Sequence, residues 1–176
     1  VLGGTFSSIT VLMVGFILSF PSGIGTAADG TPAPLLGGTS TAASFFVAWH
    51  LVLAAGVAAS AVVLARDVDV ARRPVLHRLW PGVLLGVAPA TALTLWWLLE
   101  PDAAPPLLAA GTTSELGDAV FAASIWWCAV SLLVTVVATR GSSVISRWLI
   151  AIGVLNTGDA WLNLDAERYS LGWYVA

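Results

Sequence analysis

The side chains best suited to chemistry are an imidazole and a carboxylate that lie inside long apolar stretches. Asn156, Asp159 and Asn163 follow one another at i, i+3 and i+7, so they share one face of a helix. His50 lies in a separate apolar stretch. Ionisable groups in such surroundings usually face a bundle interior or a wet cavity, because exposing them to hydrocarbon is costly. The spacing predicts a polar pocket in which His50 and Asp159 meet, provided that their two helices are neighbours.

The candidate ligand-binding residues of this pocket are Trp49, His50, Asp159, Asn163 and Arg168. Further tryptophans would add aromatic walls beside Trp49: Trp126, Trp127 and Trp161. In a plainer interpretation, His50 bonds a neighbouring backbone carbonyl and Asp159 lies in the layer of lipid headgroups. The residue types alone leave both interpretations open.

Composition identifies the surroundings as a lipid bilayer. Hydrophobic residues make up 58% of the chain, the mean hydropathy is +0.91 and only 10% of residues are charged, against about a quarter in soluble domains. A helix needs ~20 residues to cross ~30 Å of hydrocarbon. We therefore predict an all-α fold, a polytopic transmembrane helix bundle of about five spanning helices. Their predicted bounds are 2–20, 42–65, 79–99, 118–139 and 148–164, with a sixth span beginning near 171.

Both termini of the chain are apolar. The sequence opens at Val1 inside a hydrophobic run and closes on the apolar segment 171–176. We expect residues 1–176 to be a single integral-membrane domain that is truncated at both ends.

The arginines predict the orientation of the bundle. They cluster in the second connection and flank the fourth: Arg66, Arg72, Arg73, Arg78, Arg140 and Arg147. The connections 21–41 and 100–117 contain no basic residue and carry carboxylates instead. Basic loops stay on the cytoplasmic side of bacterial membranes, so the arginine-bearing connections are predicted to be cytoplasmic and the acidic ones external.

Small and polar residues predict the faces on which the helices pack, because helix association in lipid depends on close approach rather than on expulsion of water. Helix one, helix three and helix four each carry such a stripe: Gly4, Ser8, Gly15 and Ser19; Gly82 and Gly86; Ser124, Cys128, Ser131 and Thr135. Pro89 is expected to kink helix three. These stripes specify packing and no chemistry.

Other chemistries find no support in the sequence. Cys128 is the single cysteine, and His50 and His77 are the two histidines, so neither a cysteine metal cage nor a well-placed bis-histidine haem site is available. No phosphate-binding, dinucleotide or nucleophile-elbow motif occurs. We expect no cofactor, no metal ion, no catalytic residue and no nucleic-acid partner in this segment.

Several short segments occur in an order that is typical of one family. The first helix ends in Phe20–Gly23, Leu35–Gly38 follows, and Phe45–Leu51 carries an aromatic–Trp-His sequence. Further matches lie near the end of the chain: Trp148–Leu149, Asp159 and Arg168–Tyr174. In order and spacing, these segments resemble the fourth type of bacterial membrane-associated sensor (MASE) domain.

The resemblance implies a domain of about eight spans in the bacterial inner membrane, of which this chain covers the middle and later ones. Such domains relay a signal to a cytoplasmic output module in the same chain, chiefly a histidine kinase of a two-component system or a diguanylate cyclase. The implied stimulus is an unidentified small ligand or a property of the lipid bilayer. A homodimer is expected by analogy with other signalling proteins.

Two other functions remain open at this point. A transporter or channel fragment would use the polar face as a translocation path, with polar residues continuing through the inner half of the membrane. A structural subunit of a larger membrane complex would need no pocket.

The orientation is testable by labelling engineered cysteines in the Cys128→Ser background. A membrane-impermeant maleimide should label Asp102→Cys on intact spheroplasts, whereas Asp69→Cys should react only after permeabilisation. Reaction of Asp69→Cys in sealed spheroplasts would reverse the predicted orientation and place the His50 pocket on the cytoplasmic side.

Overall fold

Five α-helices make up most of the described chain. The computed structural model describes residues 1–20, 25–26, 32–38, 40–66, 75–109 and 112–165. The helices are α1 (Leu2–Ser19), α2 (Thr41–Ala65), α3 (Val75–Leu99), α4 (Glu115–Thr139) and α5 (Val144–Asp165). The predicted sixth span near 171 lies outside the described residues.

Four of these helices are long and apolar enough to cross a bilayer: Leu2–Ser19, Thr41–Ala65, Trp80–Leu99 and Glu115–Thr139. The predicted all-α, polytopic transmembrane bundle is therefore confirmed. The fifth predicted span forms a helix of 22 residues, but α5 is the most polar of the five. Its length suits a bilayer, whereas its polar face needs partners inside the protein.

Two short hairpins in the connections were not predicted from the sequence. In the first connection, β1 (Gly25–Thr26) pairs with β2 (Pro32–Ala33), and in the third, β3 (Leu108–Ala109) pairs with β4 (Thr112–Thr113). Both pairs are antiparallel, with these partners in register: Gly25 and Ala33, Thr26 and Pro32, Leu108 and Thr113, Ala109 and Thr112. A 3₁₀ turn at Pro101–Ala103 follows α3.

The described chain divides into two compact units that share α2 and α4. The unit that we call the glycine unit contains α1 from Gly3 onward, α3, and the first parts of α2 and α4 up to Trp49 and Val120. The other, the His50 unit, contains Val1 and Leu2, α2 from His50 onward, α4 from Phe121 onward, and α5.

Backbone-to-backbone contact between α1 and α3 dominates the glycine unit. A Cβ placed on Gly86 would collide with the carbonyl oxygen of Gly4 and lie 2.7 Å from Ser8 Oγ, and a Cβ on Gly4 would collide with the carbonyl oxygen of Gly82. A Cβ on Gly82 itself would meet no atom within 4 Å. The predicted packing stripes of helices one and three are confirmed here, with Gly4 and Gly86 as the close contacts.

Aromatic packing holds the opposite end of α1 in the glycine unit. A Cβ on Gly15 would lie 2.7 Å from Phe45 Cζ and 2.9 Å from Thr94 Cγ2, so α2 and α3 both approach α1 at this glycine. The Phe45 ring meets Trp97 edge-on, with centroids 5.2 Å apart. α3 continues through Pro81 and Pro89 without a break.

The two arginine-free connections contact each other at one end of the glycine unit. Ser40 Oγ donates to the Leu108 carbonyl at 3.3 Å and accepts from the Leu108 N–H at 3.0 Å. Ser44 Oγ donates to the Pro105 carbonyl at 3.4 Å. The predicted topology requires both connections to lie on one side of the membrane, and these contacts agree with it.

Three helices pack around small residues in the His50 unit. Ala54 of α2, Ile125 and Cys128 of α4, and Ala160 of α5 form one buried cluster. Val57, Ala61 and Leu149 form a second. The packing stripe that was predicted on helix four is buried throughout: Ser124, Cys128, Ser131 and Thr135.

A short turn joins α4 to α5 and explains why α5 begins earlier than predicted. Arg140 and Gly141 adopt positive φ angles of 51° and 63°, which stop α4. Ser143 and Ser146 then cap α5 reciprocally, because each backbone N–H donates to the other's hydroxyl, at 2.9 and 3.1 Å. The helix consequently begins at Val144, four residues before the predicted start at 148.

The glycine contacts predict opposite effects for two conservative substitutions in α3. Gly86→Ala should lower the free energy of unfolding by about 1–3 kcal/mol, since the new methyl group must push α1 and α3 apart. Gly82→Ala, the matched control, should be neutral or stabilising by up to about 1 kcal/mol, because alanine favours the helix and its methyl group meets nothing. Thermal unfolding in detergent measures both, and equal effects would contradict the close α1–α3 approach.

Candidate functional site

A stripe of buried residues on α2 carries His50 into the interior of its unit. His50, Ala54, Val57 and Ala61 follow one another at i, i+4, i+7 and i+11, and all four are buried. Three of them are small or medium apolar residues, so the neighbouring helices can approach α2 closely. The imidazole is completely buried, at 0% exposure, and lies nine residues, or roughly 14 Å, from the start of α2 at Thr41.

Asp159 of α5 is the side-chain partner of His50. The distance from His50 Nε2 to Asp159 Oδ2 is 2.9 Å, and 21% of the Asp159 side chain is exposed. An ionised carboxylate can only accept, so opposite such a carboxylate it is the His50 Nε2–H that donates. The structure thus brings together the two ionisable residues whose meeting the sequence predicted, 109 positions apart in the chain.

Asn156 reinforces this contact from one turn earlier on α5. Its Nδ2 donates to the backbone carbonyl of His50 at 3.3 Å and to Cys128 Sγ at 3.3 Å. Asn156 is 5% exposed and Cys128 is 1% exposed. α5 therefore holds His50 through both the backbone and the ring, by two residues that share one helix face.

The oxygen of the Asn156 side-chain amide has an unusual environment. Asn156 Oδ1 is buried and accepts no hydrogen bond from any residue that the structure describes. A buried acceptor without a donor costs about 1–3 kcal/mol. The site is therefore short of donors, since both the Asp159 carboxylate and this amide oxygen are acceptors.

α4 closes the third side of the site. Cys128 packs with Ala54 of α2 and Ala160 of α5, and Trp127 Nε1 donates to the backbone carbonyl of Leu51 at 3.2 Å. Side chains of α4 and α5 thus bond two consecutive carbonyls of α2, those of Leu51 and His50. These contacts fix the axial position of α2 against both other helices.

The electrostatics of the pair follow from its surroundings. A protonated imidazole beside an ionised carboxylate has no net charge, whereas a charge on the fully buried His50 ring alone would lack compensation. Coulombic interactions are strengthened where water is excluded. Such a pair can hold a proton between its partners or anchor a ligand that competes for one of them. Asp159 is the partly exposed partner of the pair.

The remaining predicted site residues are placed differently. The Trp49 ring packs edge-on against Phe46, with centroids 5.9 Å apart, and belongs to the glycine unit. Asn163 lies in the last turns of α5, but its side chain is outside the described residues, and so is Arg168. Their roles in ligand binding stay predictions. The suggested aromatic walls are largely exposed: Trp126, Trp127 and Trp161.

Sequence reasoning missed two members of the site. Asn156 was placed on the polar face of helix five but not among the ligand-binding candidates, and Cys128 was assigned to packing alone. The i, i+3 spacing between Asn156 and Asp159 was the available signal for the first. Nothing in the sequence pointed to the Cys128 contact, because it depends on how α4 and α5 are aligned. Among the residues that the structure describes, no three His, Cys, Asp or Glu side chains form a metal-binding group.

Comparison with known proteins supplies the family. No curated protein and no solved structure matches the chain. A family model, MASE4, which is described as a membrane-associated sensor, integral membrane domain, matches residues 1–176. The match covers the whole chain, and it agrees with four apolar helices of spanning length and with the multi-pass arrangement. The chain therefore belongs to the MASE4 family of membrane-associated sensor domains.

Proposed function

We propose that this sensor domain is the signal-input part of a bacterial inner-membrane protein and that the His50–Asp159 pair is where the stimulus acts. A small ligand would reach the outer half of the bundle, and the domain would relay the change to a cytoplasmic histidine kinase or diguanylate cyclase module of the same protein. The domain itself carries no catalysis in this proposal. The observation that supports it is a completely buried imidazole paired with a partly exposed carboxylate inside an integral membrane sensor.

The arrangement of the pair suits an input site. A ligand changes a conformational equilibrium only through its different affinities for the two states. Asp159 and Asn156 together hold α5 to α2, so a ligand that takes either partner also removes a contact between helices. Binding and helix displacement are then one event. Asn163, Arg168 and Trp49 are proposed as further contacts of the same ligand.

The hydroxyl groups of α4 argue against a transporter. A translocation path needs polar side chains that face a passage, but Thr135 Oγ1 donates to the Ser131 carbonyl and Thr139 Oγ1 to the Thr135 carbonyl, both at 2.8 Å. These hydroxyls are therefore satisfied within their own helix. We infer that the polar residues of the inner half serve packing and do not line a path for a solute. The domain would instead pass its signal to a homodimer partner or to an output module of the same chain.

The complete reading frame tests the relay. A sensor requires an output module on the cytoplasmic side, and the purified full-length protein should show autophosphorylation or cyclic dinucleotide synthesis. Asp159→Asn should change this basal output up to about fivefold, because it shifts the equilibrium between helix packings by about 1 kcal/mol. Asp118→Asn is the matched control, since Asp118 is an exposed aspartate at the start of α4. Identical output in all three proteins, or a reading frame that encodes no output module, would refute the proposal.

The structural role of the pair is predicted separately. Asp159→Leu and His50→Leu should each lower the free energy of unfolding, and the double variant should lose less than the sum of the two, with a coupling energy of about 1–3 kcal/mol. The reason is that each single substitution leaves the remaining polar side chain, the buried His50 or the partly buried Asp159, without the other. Asp118→Asn should change stability by less than about 0.5 kcal/mol.

Thermal unfolding in detergent measures the stability of all four proteins in this double-mutant cycle: the wild type, the two single variants and the double variant. Strict additivity of the two leucine substitutions would mean that His50 and Asp159 do not interact, whatever their distance. The stability cycle can succeed while the output measurement fails, and the pair would then be structural only.

A further inference from the structure

The turn between α4 and α5 carries two arginines whose charges are not matched by the protein. Arg140 and Arg147 are both exposed, and neither guanidinium forms an ion pair within the described part of the chain. The segment 139–148 contains no carboxylate. In a chain with a net charge of −3, this turn is thus a local positive site. We name it the arginine turn, residues 139–148.

The two arginines belong to one local structure. Arg147 Nε donates to the carbonyl of Gly141, the residue after Arg140, at 3.2 Å. Its Cγ also lies 4.0 Å from the position of a Cβ on Gly141. One guanidinium N–H group of Arg147 is used in this way, and its terminal N–H groups stay available as donors. The bond directs the Arg147 side chain back toward the turn that precedes α5.

The turn lies at the surface of the bilayer. α4 is one of the four helices that can span the membrane, and it ends at Thr139, so the next residues lie at headgroup level. Trp148 is 67% exposed, and its neighbours Val144 and Ile145 are exposed too. Tryptophan concentrates at the interface between lipid and water, and exposed apolar residues beside it are covered by acyl chains in an integral membrane protein. The arginine turn therefore presents guanidinium groups at the depth of the phosphates and apolar side chains below them.

The conformation of Arg140 provides a further argument. Its φ of 51° is in the left-handed region, which is unfavourable for a residue other than glycine, asparagine or aspartate. Glycine or asparagine would fit the backbone better. An arginine at this position stabilises the fold less than either would, and its side chain is exposed.

We propose that the arginine turn binds the phosphate group of an anionic phospholipid in the adjoining leaflet. Guanidinium groups bind phosphate oxygens through paired, charge-assisted hydrogen bonds. The absence of any carboxylate between Thr139 and Trp148 leaves these donors to the lipid, and Trp148 with Val144 and Ile145 lies against its acyl chains. The site fixes the junction of α4 and α5 to the membrane surface, and through α5 it sets the depth at which Asp159 meets His50.

Lipid retention by the complete protein in detergent tests the proposal. Native mass spectrometry should show tighter binding of phosphatidylglycerol than of phosphatidylcholine. Arg140→Asn and Arg147→Gln should each weaken phosphatidylglycerol binding about fivefold, as expected from ~1 kcal/mol per arginine near an anionic surface. Arg147→Lys should retain most of the affinity. Arg66→Gln is the matched control, because Arg66 is an exposed arginine at the end of α2 that is followed directly by Asp67.

Stability measurements keep the result interpretable. Arg140→Asn should leave the thermal midpoint in phosphatidylcholine unchanged or raise it, since asparagine tolerates the left-handed conformation. A loss of phosphatidylglycerol binding in this variant then reflects the lost charge and not unfolding. Three outcomes would overturn the proposal: equal binding of the two lipids, an equal loss in Arg66→Gln, or displacement of phosphatidylglycerol by millimolar inorganic phosphate, which would show a site for free phosphate instead.

Discussion

Hydrocarbon cannot donate or accept hydrogen bonds, and this constraint governs every polar side chain in the bundle. The least demanding solution is a bond to the backbone one turn earlier, and hydroxyl side chains on several helices adopt it: Ser7, Ser8, Thr10, Ser60, Thr135, Thr139 and Thr157. The hydroxyl groups of these residues donate their hydrogen bonds within their own helix, so they need no partner on a neighbouring helix. His50, Asp159 and Asn156 are different, because their bonds run between helices. They consequently determine which helices are adjacent and how these are aligned.

The two units are stabilised differently, the glycine unit by close backbone packing and the His50 unit by polar pairing as well. In the glycine unit, Gly4 and Gly86 bring α1 and α3 into contact through their backbones, and van der Waals attraction stabilises that interface. In the His50 unit, small residues also allow a close approach, but the positions along the helix axes are fixed by directed bonds. A slide of α5 by one turn would leave Ala160 and Gly153 in similar apolar surroundings and would separate Asp159 from His50. The polar contacts therefore fix the axial position of α5 against α2, which packing of small residues alone does not fix.

The sequence predicted those features that depend on local composition. Runs of apolar residues gave five helices at nearly their observed bounds, and α-helical spacing placed Asn156 and Asp159 on one face. The errors arise where a few side chains decide the outcome. α5 begins at Val144 because two serines cap it, which hydropathy does not register, and strands of two residues are too short for any periodicity. The pairing of His50 with Asp159 required an assumption about which helices are neighbours, and the bond from Asn156 to Cys128 required their alignment as well. Trp49 was included among the site candidates because it adjoins His50 in the sequence, but its ring packs against Phe46.

The polarity of α5 links the fold to the sensing role. Asparagine, threonine and aspartate within one 22-residue helix make it the helix that gains least from lipid and most from protein partners. Its alignment with α2 and α4 depends on a few hydrogen bonds, each of which contributes on the order of 1 kcal/mol in a membrane, in addition to the packing of Leu149 and Ala160. α1 and α3 differ, because their backbones approach each other directly around Gly4 and Gly86. The buried Asn156 oxygen, which lacks a donor among the described residues, lowers the cost of moving α5 still further, because that oxygen has no bond to lose. The same hydrogen bonds that align α5 with α2 are therefore the contacts whose loss would move α5.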